Sequence, residues 1–188
     1  MPTSDLIQLM KEKAEAVQAV VVKIKTLKEA FQYTVDLTRE QRGTSMVAMG
    51  LKTQDVNLLE KACKTADISF LNPPLRSHAN EIHTALTPVD WGIAETGTLV
   101  LDSSSEDVRI ATMLSETHVA LLPVSKIKPD VTALENEINA VLKADGSSYY
   151  AFITGASRGI GAEACLVGCA IQIDHRLATG FGVVDQGV

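Results

Sequence analysis

Apolar residues recur at steps of three and four from Met10 through Ala14, Val17, Val21, Ile24, Leu27 and Phe31. With 3.6 residues per turn they share one stripe, which predicts a long helix within an N-terminal helical region, residues 1–38. That stripe can pack on the chain's own core or on a second copy, so a homo-oligomer through the N-terminal helix is one expectation. After it the pattern alternates: "TSMVAMG" predicts a strand, "TQDVNLLEKACKTA" a helix, and "DISFL" a strand stopped by Asn72-Pro73-Pro74. "RSHANEIHTAL" predicts a helix, "TLVLD" a strand, "SEDVRIATMLSE" a helix, "HVALLPV" a strand, "DVTALENEINAVLKADG" a helix and "YYAFITG" a strand. Strands this continuous in apolar residues need cover on both faces, so the expected fold is a three-layer α/β sandwich with a mainly parallel sheet. The last stretch, residues 174–188, with three glycines, fits turns or a tail.

Composition narrows the class. A chain of 188 residues, 46% hydrophobic and 21% charged, fits a single domain over 1–188 with a sizeable core. A net charge of -6 argues against nucleic acid as a partner. The N-terminus does not resemble a secretory signal and no apolar run reaches the length of a membrane span, so the expected location is cytoplasmic. Three cysteines, Cys63, Cys165 and Cys169, suit a reducing compartment and fall short of the four that an iron-sulfur cluster usually takes.

"ITGASRGIG", residues 153 to 161, raises a dinucleotide reading. Gly155, Gly159 and Gly161 have the spacing of a short-chain dehydrogenase turn, and glycines after a strand let backbone amides approach a pyrophosphate. Only 27 residues follow Gly161, and no Tyr-x-x-x-Lys occurs: Tyr33, Tyr149 and Tyr150 are followed four places on by Leu37, Ile153 and Thr154. An NAD-dependent dehydrogenase therefore ranks, with a scaffold module, behind the readings below.

Residues 90 to 138, with "AETGTLVL" and "HVALLP" followed later by "TGASR", resemble the LUD domain of lactate utilisation protein C. The likeness rests on Ala94 to Thr98, His118 to Pro123 and Thr154 to Arg158, and spans roughly residues 80 to 165. Where the family's turn runs on as Ser-Arg-Thr-Ala-Asp-Ile-Glu, this chain keeps Ser157, Arg158 and Glu163 around Gly159-Ile160-Gly161-Ala162. The resemblance implies a ribose-phosphate isomerase/CoA-transferase-like fold. It further implies an accessory subunit of an iron-sulfur system that oxidises L-lactate to pyruvate, with no cofactor in this chain and the clusters on partner proteins.

The residues themselves suggest a pocket for a small anion. Glu95 has the chemistry of a catalytic acid/base or of a structural carboxylate holding a loop. Thr96, Gly97 and Thr98 offer hydroxyls and close backbone approach, and Gly155, Ser157, Arg158 and Glu163 complete the expected substrate-binding set, Arg158 by a bidentate contact or by pairing with Glu163. A stand-alone enzyme of the same fold acting on an anionic substrate is the alternative. No metal site is expected: His78 and His83, five apart, diverge by about 140° on a helix. Cys165 and Cys169, four apart, would share a helix face and read as small buried apolar groups. Ser103 and Glu106 have capping-box spacing, and His118 reads as a buried, hydrogen-bonded histidine.

Overall fold

The structure, a computed structural model, describes residues 1–145, 149–154 and 164–174, the side chains of 142–145 and 164–174 excepted. In chain order the elements are α1 (Thr3–Ala16), β1 (Val20–Ile24), α2 (Leu27–Glu40), β2 (Ser45–Ala48), α3 (Thr53–Thr65) and β3 (Ser69–Leu71). A 3-10 turn (Leu75–His78) leads to β4 (Thr84–Pro88), β5 (Trp91–Ile93), β6 (Thr98–Asp102), α4 (Glu106–Leu114) and β7 (Thr117–Pro123). A second 3-10 turn (Val124–Lys126) precedes β8 (Ile127–Lys128), α5 (Val131–Asp145), β9 (Tyr150–Ile153) and β10 (Ala164–Asp174).

The long N-terminal helix is not formed. Helix α1 has 14 residues and gives way, through Gln18 at φ 67, to strand β1. The β-branched run Val20-Val21-Val22 favours a strand over a helix, and the backbone of β10 pairs with it, Val21 opposite Ile171. Helix α2 then starts afresh: the Thr26 hydroxyl accepts from the Glu29 amide at 3.2 Å, while the Glu29 carboxylate accepts from the Lys25 amide at 2.9 Å. The apolar stripe is spent inside the chain, with Met10 and Ala14 buried on α1 and Phe31 buried on α2.

Two further elements differ from expectation. Residues 76–86 are not a helix: the 3-10 turn ends at His78, and Thr84 to Pro88 form a strand held between two parallel neighbours. The backbone carrying Cys165 and Cys169 is strand β10. The TGASRGIG turn likewise follows no strand of a parallel βαβ unit, because β9 is the antiparallel edge of a second, smaller sheet.

The larger sheet has the order β1-β10-β7-β4-β2-β3. Strands β7, β4, β2 and β3 are parallel neighbours, and β10 runs antiparallel to both β7 and β1. Because side chains alternate across a strand, both faces of this sheet are apolar. Met46, Ala48, Leu86, Val119 and Leu121 pack under α2 and α3 with Phe31, Val35 and Leu59. Val47 and Ala85 face Ala111 of α4, and Ala120 and Leu122 face Met10 and Ala14 of α1. This is the α/β architecture expected, a mainly parallel sheet between helices.

The smaller sheet, β8-β5-β6-β9, is the addition the sequence did not announce. Its inner side chains Leu99 and Leu101 join the cluster of Met10, Ala120 and Leu122, while Trp91, Ile93 and Val100 pack outward on Leu134 of α5. Helix α5 is also tied down by polar contacts. The Trp91 indole donates to Glu137 at 2.7 Å, and the Lys128 ammonium donates to the same carboxylate and holds it below the usual range. Gly92 sits where the two sheets touch: a Cβ there would lie 2.4 Å from Leu122 Cδ2.

Leu122 contacts both α1 and the smaller sheet, so Leu122→Ala should cost about 2–5 kcal/mol through the cavity it opens. Urea unfolding of the full chain checks this; a loss below 1 kcal/mol, by about the same scale, would mean the layers do not depend on that contact.

Candidate functional site

The segment Ala94 to Gly97 is the tight connection of the β5–β6 hairpin, closed by the pair Ile93 and Thr98. Gly97 has φ 67, and a Cβ there would lie 2.5 Å from the Ala14 nitrogen and 2.7 Å from the Lys13 carbonyl carbon. Glycine is thus required twice, for the left-handed turn and for the approach to the end of α1. The amides of Ala94 and Glu95 donate to the carbonyls of Lys128 and Pro129 at 2.8 and 3.0 Å, which fixes the hairpin against the segment after β8. Glu95 and Thr96 are exposed on this turn, and Thr98 is buried.

The hairpin meets the second family motif. Pairing of β6 with β9 sets Leu99 opposite Ile153, so Thr154 arrives beside Thr98. The hydroxyls form a chain: Thr96 Oγ1 to Thr98 Oγ1 is 2.6 Å, and Thr98 Oγ1 to Thr154 Oγ1 is 2.7 Å. Each hydroxyl carries one hydrogen, and the two bonds within the chain consume two of the three. The remaining hydrogen belongs to Thr96 or Thr154 when Thr98 donates along the chain, and to Thr98 when Thr98 accepts from both neighbours. Gly155, Ser157, Arg158 and Glu163 lie outside the described residues.

A concavity lies where an open parallel sheet is expected to bind, beyond the carboxyl ends of β2 and β4. This crevice, about 270 Å³, is bounded by Gly50, Thr87, Pro88, Asp90, Asp102 and Ser105. Gly50, at φ 73, turns the chain away from β2 and leaves room for the Pro88 ring. Thr87 is backed by His118, whose Nε2 is 2.8 Å from the Thr87 hydroxyl, so His118 is the buried, hydrogen-bonded histidine expected.

Burial pushes the Asp90 carboxyl above its ordinary range. The Asp102 amide, donating to Asp90 Oδ2 at 2.7 Å, pulls it back; the Asp102 carboxylate pushes it up and the Lys126 ammonium pulls it down. An aspartic acid with a raised pKa in a crevice can hold a proton for transfer. Sequence reasoning missed it. The only local signal is an acidic residue just past an apolar strand, and the crevice exists only because β2, β4 and β6 converge.

The hairpin and this crevice sit at opposite ends of β6, about 13 Å apart at the usual rise of a strand. The structure therefore brings Thr96, Gly97 and Thr98 together with Thr154, and leaves Glu95 remote from Asp90. The serine run is structural. Ser103 donates to the Tyr149 carbonyl at 3.0 Å in place of capping α4, and Ser104 donates to Asp102. His78 bonds Glu81 at the surface while His83 is buried. Cys63 is buried beside Met46, and burial pushes its thiol up to about 11. Among the described residues no three His, Cys, Asp or Glu side chains group to hold a metal, and no helix is long and apolar enough to cross a membrane.

These features define an α/β protein whose mainly parallel sheet carries a smaller, mostly antiparallel sheet with a hydroxyl-lined hairpin. A family model described as LUD domain matches residues 7–170, and the chain belongs to the LUD domain family. Its fold is similar to a solved structure titled as a DUF162 family protein from Deinococcus radiodurans, with a TM-score of 0.59 and 14% identity over 82% of this chain and 89% of that one. At that identity the likeness shows the fold alone. No curated protein matches the chain.

Two outcomes follow from this geometry. Gly97→Ala should destabilise the fold by about 2–4 kcal/mol, since it strains the turn and drives a methyl group into α1; denaturant melts check it, and a neutral result would remove the close approach. For Asp90 the sign is that of a folded-state pKa raised above the unfolded one. Its favourable contribution is present below the unfolded carboxylate pKa and is lost as pH rises through the folded value. Asp90→Asn should therefore flatten the fall in stability across the mildly acidic range and cost nothing at neutral pH, as read by unfolding at a series of pH values.

Proposed function

We propose that this chain is a small-anion-binding LUD protein that resembles lactate utilisation protein C and serves as an accessory subunit of an iron-sulfur system oxidising L-lactate to pyruvate in the cytoplasm. The observation that carries the reading is the Thr96–Thr98–Thr154 hydroxyl chain, which joins two of the three family segments and leaves one donor to present to a ligand. In this reading Thr96, Gly97, Thr98, Gly155, Ser157, Arg158 and Glu163 hold the anion, and Glu95 at the rim handles any proton transfer. The clusters belong to partner proteins, which take the electrons.

Asp90 favours a second reading, a stand-alone enzyme of isomerase/CoA-transferase-like fold acting on an anionic substrate. The two readings place the essential carboxylate differently, on Glu95 or on Asp90.

Thr98→Val keeps the shape of the side chain and breaks the hydroxyl chain. It should remove the thermal shift produced by L-lactate or pyruvate, and in the native host it should abolish growth on L-lactate. Tagged protein purified from that host should bring down partners with the visible absorption of iron-sulfur clusters. Growth on lactate unaffected by deletion of the gene, together with no cluster-bearing partner, would overturn the main reading. Turnover of an anionic substrate by the isolated chain, lost in Asp90→Asn and retained in Glu95→Gln, would establish the second.

A further inference from the structure

A cavity opens at the other end of the larger sheet, beyond the amino ends of β2, β3, β4 and β7. It encloses about 580 Å³, and its walls include Arg42, Ser45, His83 and Glu116. Neither the hairpin nor the Asp90 crevice shares a residue with it.

Its framework is rigid. Gly43 follows α2 with its amide on the Thr38 carbonyl at 2.7 Å, and a Cβ at Gly43 would lie 2.2 Å from His83 Nδ1, so the imidazole occupies the space a side chain would fill. The His83 amide donates to the Ser45 hydroxyl at 2.9 Å, and that hydroxyl donates to the Glu81 carbonyl. On the inner side His83 Nδ1 is 2.9 Å from the Thr84 hydroxyl, itself 2.9 Å from the Thr38 hydroxyl. The ring's other nitrogen, Nε2, faces Glu116 at 3.7 Å.

Opposite charges border this space without pairing with each other. Arg42 takes the left-handed conformation at φ 60 directly after α2, a position that glycine usually fills. Its neighbour Gln41 accepts from the Thr117 hydroxyl at 2.7 Å, which locks the chain bearing Arg42 to the chain bearing Glu116. Among the described residues the ion pairs go elsewhere: Glu81 meets His78, Glu116 meets His83, and no carboxylate pairs with Arg42. The wall thus includes a guanidinium, and a carboxylate beside an imidazole that does not pair with it. A simple anion would face Glu116 and Glu81, and a simple cation would face Arg42; a ligand carrying both charges satisfies both.

We propose that this cavity is a second ligand site, which takes a small zwitterion of the amino-acid type with its carboxylate on Arg42 and its ammonium on Glu116 beside His83. The inference is independent of the anion reading at the hairpin.

Calorimetric titration of the full chain with L-alanine and L-glutamine, and with propionate and ethylamine as single-charge probes, tests it. Arg42 and Glu116 are exposed, so Arg42→Gln and Glu116→Gln should retain the fold, checked by circular dichroism. The expected result is saturable binding of a zwitterion that weakens about tenfold in each variant, the loss of one charge-assisted contact, while no single-charge probe binds in a way that depends on both residues. Absence of saturable binding by either amino acid, or binding that survives both substitutions, would overturn the site. Propionate binding as tightly as L-alanine, removed by Arg42→Gln and unaffected by Glu116→Gln, would overturn the zwitterion class.

Discussion

The contact between Gly92 and Leu122 governs the rest of the structure. The larger sheet is apolar on both faces, and over β7 the smaller sheet shares the cover with α1. β5 can lie on β7 only where it lacks a side chain, at Gly92, because a Cβ there would meet Leu122 at 2.4 Å. Close packing of this kind transmits position as well as energy. With β5 seated, its hairpin reaches the end of α1 through Gly97, and β6 runs back to set Asp102 beside Asp90. Both candidate sites of the smaller sheet are therefore consequences of one seam.

Between β2 and β9 the elements β2, α3, β3, β6, α4, β7, α5 and β9 were legible because each satisfies its own local rule, while β4 was read as the end of a helix and the short β5 and β8 were not read. β7 reads as a buried strand in "HVALLPV" and is one, with Val119 and Leu121 on one face and Ala120 and Leu122 on the other. The N-terminus misled because Val21, Ile24 and Leu27 continue the helical spacing by coincidence across a strand. The counter-signals were local and present: three β-branched residues in a row, then Thr26 and Glu29 at capping-box spacing. Strand β10 had no such signal. It is a strand because β1 and β7, at distant places in the chain, leave a gap between them that a returning segment can fill, and no window of sequence contains both neighbours.

The same division holds for chemistry. The glycine in "ETGT" declares itself as a turn, and family resemblance draws the eye to the threonines around it. That Thr154 completes their chain depends on the pairing of β6 with β9, 56 residues on from Thr98. Asp90 and His83 were less visible still. Their settings are made by strands meeting at the two ends of the larger sheet, and a carboxylate after "TPV" or a histidine before "TAL" looks the same in solvent as in a cavity. His83 in particular was weighed as a metal ligand on a helix that does not form; its ring is fixed instead by the absence of a side chain at Gly43.

The separation of these features bears on how the protein works. A catalyst for an anionic substrate needs its anion-holding donors and its proton-transfer group on the same few atoms. Here the group with the raised pKa, Asp90, sits beside a second carboxylate that repels an anion, at the far end of β6 from the hydroxyl chain. The hydroxyls in turn are accompanied by Glu95, which is exposed on the turn. In the accessory reading the hydroxyl donors of the hairpin need no base beside them, because the proposed subunit binds and presents a ligand while its partners carry the electrons.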